Sequence, residues 1–158
     1  MKLAKILLST LLLFSIATAV LAEGDTTLPE AGTLPGSSSY LFKRLGEKVK
    51  WFFTFNQKSK FEYQKRLVET RLSELKSLVE NDKTDQIEDA GQRFAYQVGI
   101  QTETVKNNDQ YKKGVVELYS KYIPLLEKLR DHYPANKTYW LVLQQDIDTL
   151  NILAGVLR

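Results

Sequence analysis

The chain has 158 residues, no cysteine, one histidine and a formal net charge of +3. The lack of cysteine excludes disulfides, thiolate metal sites, a cysteine nucleophile and a lipidated cysteine. Two of the positive charges lie in a signal-like N-terminus, so the processed chain would carry only +1. Because domains that bind a nucleic-acid backbone keep a marked basic excess, the composition argues against a nucleic-acid partner.

The first 22 residues have the three parts of a secretory signal peptide. Lys2 and Lys5 form the positive part, residues 6–21 are uncharged and apolar, and Ala22 ends a cleavage site of the usual kind. We predict cleavage after Ala22 and a secreted or periplasmic product. The alternative is an uncleaved N-terminal membrane anchor, because the uncharged run reaches the lower length limit for a membrane span. Both alternatives place the rest of the chain outside the cytoplasm.

Residues 23–38 are rich in glycine, proline, serine and threonine and show no helical or strand period, which predicts a flexible linker. From residue 39 to residue 158 the pattern is helical almost throughout, and this length suffices for one hydrophobic core. We predict a single all-α domain. It is an antiparallel bundle of about five helices, a short basic helix followed by longer amphipathic ones.

The first predicted helix, within 40–55, is basic and rich in aromatic residues. Its apolar side consists of Leu41, Leu45, Val49 and Phe52, and its charged residues are Lys43, Arg44, Glu47, Lys48 and Lys50. We favour packing of the apolar side on the core, with Tyr40 anchoring the chain, because a domain without cysteine needs every apolar face it has. The alternative is an interfacial helix whose cations face anionic lipid while Trp51, Phe52 and Phe53 enter the membrane surface.

The next two predicted helices, 59–81 and 85–106, carry apolar residues at helical spacing. These are Phe61, Val68, Leu72, Leu75 and Val79 in the former, and Ile87, Phe94, Val98 and Val105 in the latter. Gly91 and Gly99 share one side of the later helix, where each costs roughly 1 kcal/mol relative to alanine. Two explanations stay open: another helix approaches closely at the glycines, or the helix bends or frays at Gly99.

The fourth predicted helix contains a proline within its apolar stripe. The stripe runs through Val115, Leu118, Tyr122, Leu126, Leu129 and Tyr133, and Pro124 predicts a helix that is kinked or split in two. The fifth helix places Trp140, Leu143, Ile147, Leu150, Ala154 and Leu157 at alternating steps of three and four, which is typical of a bundle seam. A homodimer through this seam is an option if the seam faces outward.

Three motifs stand out along the chain. They are the entry Leu34, Pro35, Gly36, Ser37, Tyr40, Lys43, Arg44 and Glu47, the turn Phe53, Thr54 and Phe55, and the stretch Val68, Glu69, Arg71, Leu72 and Glu74. Together they resemble a bacterial helical family known as a domain of unknown function, whose members are typically exported. The resemblance implies export and a helical fold, and no reaction or ligand. The candidates for family-motif or partner-contact residues are Pro35, Gly36, Tyr40, Lys43, Arg44, Glu47, Trp51, Phe53, Arg71 and Glu74.

No catalytic or metal-binding arrangement is visible in the sequence. His132 has no second potential ligand at usable spacing, and Asp146 and Asp148 point to different sides of their helix. We therefore predict an exported, non-enzymatic helical domain without a cofactor. It would act through protein–protein contact at the cell envelope, in a scaffolding, stress-sensing or chaperone-like role. The alternative is a membrane-surface binder that uses 40–55 and an anionic membrane as its partner.

Overall fold

The computed structural model describes residues 27–158, so the predicted signal peptide lies outside the described residues. Within this range the protein is all-α, with antiparallel helices and no strand. The helices are α1 (Tyr40–Phe52), α2 (Gln57–Glu80), α3 (Ile87–Val105), α4 (Asp109–Arg130) and α5 (Thr138–Leu157), and a short 3₁₀ turn (Thr84–Gln86) precedes α3. The prediction of an antiparallel bundle of about five helices is confirmed.

Local hydrogen bonds set the ends of α2. The side chain of Asn56 accepts a 2.7 Å hydrogen bond from the backbone N–H of Ser59, which satisfies one of the free donors at the start of the helix. After Glu80 the chain turns through Asp82, whose φ is 51°. The backbone N–H of Lys83 then donates to the carbonyl of Leu78 at 2.9 Å. This capped turn directs the chain back along α2 into α3.

The four longer helices form two hairpins that share one core. α2 packs on α3, α4 packs on α5, and the hairpins meet mainly through α3 and α5. The core includes Leu72, Phe94, Tyr122 and Leu150, which are fully buried. No side chain of α1 belongs to this core cluster. In the described part of the chain, no helix is long and apolar enough to cross a membrane.

α4 and α5 narrow one sequence prediction and remove the basis of another. α4 continues through Pro124 as one helix, so of the two predicted outcomes, a kink or a split, the split does not occur. Pro124 lies on the exposed side and lacks the N–H that would donate to the carbonyl of Ser120. Leu143, Ile147 and the later seam residues of α5 are buried within the chain. A dimer through that seam required it to face outward, and this condition is not met.

The two glycines of α3 have different surroundings. A Cβ atom added to Gly91 would lie 2.5 Å from Cγ1 of Val142 and 3.0 Å from Oδ2 of Asp146, both on α5. A Cβ atom added to Gly99 would have nothing within 4 Å. Close approach of another helix therefore explains Gly91 and does not explain Gly99.

We expect Gly91→Ala and Gly99→Ala to change stability in opposite directions. In Gly91→Ala the added methyl group overlaps the Val142 side chain, so Val142 must shift, and the free energy of unfolding should fall by about 1–3 kcal/mol. Gly99→Ala adds a methyl group to open space and should raise it by up to about 1 kcal/mol, because alanine favours the helix. Urea unfolding followed by circular dichroism measures both variants. Equal changes in the two would contradict the close approach at Gly91.

Candidate functional site

α1 is docked with its polar side towards the bundle and its apolar side towards solvent. The outward residues are Leu41, Phe42, Leu45, Val49, Phe52 and, directly after the helix, Phe53; we call these six residues the α1 outer face. Each is between 51% and 77% exposed. The prediction that Leu41, Leu45, Val49 and Phe52 cover the core is therefore wrong. The inward stripe is instead formed by Tyr40, Lys43, Glu47 and Trp51, at steps of three and four residues.

Five polar residues hold α1 in this orientation, and we call them the ionic anchor: Tyr40, Lys43 and Glu47 of α1 with Arg71 and Glu74 of α2. Oε1 of Glu74 accepts hydrogen bonds from Lys43 at 2.6 Å and Arg71 at 2.7 Å, and Oε2 accepts one from the Tyr40 hydroxyl at 3.0 Å. Arg71 also pairs with Glu47. Arg71 and Glu74 are each only 1% exposed. Because buried charges are tolerated only when paired, α2 requires the polar side of α1 against it.

Two groups of the ionic anchor, Arg71 and Tyr40, have raised pKa values. Burial lowers the pKa of the Arg71 guanidinium, but the carboxylates of Glu74 and Glu47 together outweigh this effect and the pKa is raised. The pKa of Tyr40 is raised by burial and by the neighbouring charge of Glu74. Both shifts favour the protonated forms, the charged Arg71 guanidinium and the neutral Tyr40 hydroxyl, which are the forms that donate hydrogen bonds to the carboxylates.

Aromatic contacts fix the inward side of α1 at its C-terminal end. The ring of Trp51 stacks on Tyr63 of α2, with the centroids 6.1 Å apart. The Tyr63 hydroxyl donates a 2.7 Å hydrogen bond to the backbone carbonyl of Glu47. Trp51 therefore faces α2, whereas its neighbours Phe52 and Phe53 face solvent. This separates Trp51 from the two phenylalanines with which the sequence had grouped it.

The segment before α1 is attached to α1 and α2 beside the ionic anchor. We call its described part, residues 27–39, the chain entry. The Nζ atom of Lys43 donates to the carbonyls of Ala31 at 2.7 Å and Thr33 at 3.1 Å, and Ser73 of α2 donates to the carbonyl of Pro29 at 2.6 Å. An open cleft of about 420 Å³ lies between the chain entry, α1 and α2, and Lys43 and Glu47 of the ionic anchor are in its wall.

Gly36 and Pro35 bring the chain entry close to the start of α3. Pro35 is buried. Gly36 has a φ of +88°, a left-handed conformation that favours glycine. A Cβ atom at this position would lie 2.8 Å from the side chain of Gln86. The backbone conformation therefore requires the glycine, and a larger residue would also displace the end of the Gln86 side chain.

The ten candidate residues from the sequence fall into distinct structural roles. Five form the ionic anchor, and Arg44 lies at its rim, 3.9 Å from Glu47. Trp51 packs on α2, Pro35 and Gly36 belong to the chain entry, and Phe53 lies on the α1 outer face. Sequence reasoning missed the exposure of the other outer-face residues and the contributions of Tyr63 and Ser73. The available signal was the pair Arg71 and Glu74, which interrupts the buried apolar stripe of α2.

Potential metal ligands are scattered. Among residues 27–158, no group of three or more histidine, cysteine, aspartate or glutamate side chains could hold a metal ion. His132 lies at the surface after α4, where its Nε2 atom is 3.2 Å from Oδ1 of Asp82. The contact joins the end of α4 to the turn between α2 and α3.

A family model described as a domain of unknown function (DUF5667) matches residues 32–134. The chain belongs to this family. The resemblance to a helical family of unknown function is thus confirmed at the level of the family. The DUF5667 region contains α1, the ionic anchor and the α1 outer face, and it ends before α5, which completes the core. No curated protein and no solved structure matches the chain.

Proposed function

We propose that this DUF5667 chain is an exported, non-enzymatic domain that works at the cell envelope by contact through the α1 outer face. The observation that carries the proposal is the run of six large apolar side chains on one exposed side of α1. Contiguous exposed apolar surface of this kind marks an interaction site. The orientation is built into the fold, because two almost fully buried charges on α2 hold it.

The chemistry of the charged residues supports a contact role rather than catalysis. The charges of Lys43, Glu47, Arg71 and Glu74 are engaged with one another in ion pairs. We further propose that the family motif from Leu34 to Glu47, together with Arg71 and Glu74, serves to fix α1 with its apolar side outward. Export rests on the signal-like residues 1–22.

Two kinds of partner fit an apolar helix face outside the cytoplasm. One is a protein, in a scaffolding, stress-sensing or chaperone-like role. The other is an anionic membrane surface, which is favoured by the lysines of α1. Both use the same residues, so the contact function can be tested before the partner is known.

Site-specific photocrosslinking in cells tests the proposed function. A photoreactive phenylalanine analogue would replace Leu45 on the α1 outer face in the full chain, and Ile152 on α5 serves as the matched exposed control. We expect crosslinks to an envelope component from position 45 and not from position 152. We also expect a C-terminal tag to be accessible to a reagent that cannot enter the cytoplasm. Equal crosslinking at both positions, or a protected tag, would overturn the proposal.

A further inference from the structure

We infer that the α1 outer face docks on an anionic membrane surface, with α1 lying parallel to it. The inference rests on the proposed contact function and names its partner. Six apolar side chains, three of them phenylalanines, form one side of a helix whose opposite side is bound to the protein. This arrangement matches a helix that inserts its apolar face at the boundary of head groups and acyl chains.

The charges around the outer face are complementary to anionic lipid. The single acidic residue of α1, Glu47, is paired with Arg71 on the inward side. Lys48 and Lys50 are exposed, and within the described range neither forms an ion pair. At about 100° per residue, Lys48 borders one edge of the outer face. Lys50 lies on the side of the cleft, with its Nζ atom 5.9 Å from the centre of the Tyr63 ring. Lys48 can therefore reach lipid phosphates while its stem lies along the apolar surface.

The same charges disfavour a second copy of this chain as the occupant. Two outer faces packed against each other would bring the Lys48 side chains of both copies to the same contact. α1 has no free carboxylate with which to neutralise them, because Glu47 is held by Arg71. Like charges at a contact oppose association, whereas an anionic surface gains from them.

The chain also enters the domain beside α1. The apolar run of the N-terminus ends at Ala22, and the first described residue is Thr27. Five residues span at most about 18 Å. The following segment is bound by Lys43 of α1 through the carbonyls of Ala31 and Thr33. The apolar run is therefore connected to the domain through a segment that is bound to the helix carrying the outer face.

Single-tryptophan reporters test the docking in the processed chain from Glu23, which keeps the entire core cluster. The F42W reporter, in a W51F/W140F background, lies on the outer face, and Trp51 alone, in a W140F background, lies on the inward side. Vesicles contain equal parts phosphatidylglycerol and phosphatidylcholine, or phosphatidylcholine alone. With anionic vesicles we expect the F42W reporter to shift to the blue and to be quenched by brominated lipid. Trp51 should not be quenched.

Matched variants separate the apolar and charged contributions. Phe42→Gln with Phe52→Gln should weaken vesicle binding by roughly a hundredfold, because two large side chains no longer enter the interface. Ile152→Gln with Val156→Gln, on the exposed side of α5, should leave binding unchanged. Lys48→Gln should weaken binding by about fivefold. Circular dichroism checks that each variant is folded, which is expected because all of these side chains are exposed.

Each outcome decides the inference. Absence of vesicle binding by the folded chain overturns it, as does binding that persists in the Phe42→Gln, Phe52→Gln variant or quenching of Trp51 by brominated lipid. In any of these cases, a protein crosslink from position 45 in cells would still support the proposed contact function. Loss of that crosslink together with loss of vesicle binding would overturn both.

Discussion

Arg71→Met is expected to lower the free energy of unfolding by about 3–5 kcal/mol. The guanidinium of Arg71 is almost fully buried and pairs with both Glu74 and Glu47. Methionine fills much of the same space but leaves the buried Glu74 carboxylate with only Lys43 and Tyr40 as partners. Removing one partner of a buried ion pair is costly because the remaining charge has been taken out of water. Denaturant unfolding at neutral pH measures the loss.

Arg44→Met is the matched control, because Arg44 approaches the same Glu47 carboxylate at 3.9 Å with a side chain that is 30% exposed. Its expected loss is below about 1 kcal/mol, as for other solvent-screened pairs. Hydrogen exchange should show faster exchange of α1 amides in Arg71→Met than in Arg44→Met. Small and equal losses in the two variants would mean that the ionic anchor does not hold α1.

Asp146→Asn is expected to make the protein more stable at neutral pH and less sensitive to pH. The Asp146 carboxyl is only 2% exposed, and its Oδ2 atom has no hydrogen-bond partner among the described residues. Burial raises its pKa well above the ordinary value. The folded state therefore keeps a proton that the unfolded chain has released. The free energy of unfolding therefore falls as the pH rises from about 4, the pKa of an aspartate in the unfolded chain, to the raised pKa of the folded state. Over this range the unfolding constant increases by up to about tenfold per pH unit.

Asp148→Asn is the control for the pH-dependent stabilisation expected of Asp146→Asn. Asp148 is exposed and accepts a 2.9 Å hydrogen bond from Gln144. Unfolding free energies between pH 4 and pH 7 should show a gap between Asp146→Asn and the unchanged chain that widens as the pH rises. Asp148→Asn should follow the unchanged chain. A gap that stays constant with pH would show that Asp146 titrates as an ordinary carboxyl.

The four longer helices and their core could be predicted from sequence because each has one apolar stripe and one polar side. Leu72, Phe94 and Leu150 were predicted as core residues and are fully buried. For Gly91 and Gly99 the spacing was not sufficient. Their difference depends on where α5 crosses α3, and this crossing is a tertiary feature that the pattern of one helix does not contain.

α1 shows why the candidate site was harder to predict. Its amphipathic pattern defines two sides, but which side faces inward depends on what the neighbouring helix offers. α2 offers Arg71 and Glu74 at positions where apolar residues would be expected, and these charges require the polar side of α1. Lys43 contacts the chain entry in a segment without periodicity, so no repeating pattern predicts which carbonyls it binds.

The orientation of α1, with its polar side towards the bundle and its apolar side towards solvent, is tested most directly by acrylamide quenching of the two single-tryptophan reporters in buffer without lipid. The F42W reporter should be quenched several times more strongly than Trp51, because position 42 is 77% exposed whereas Trp51 stacks on Tyr63. Stronger quenching of Trp51, with protection of the F42W reporter, would mean that α1 packs its apolar side inward and would contradict the orientation described above.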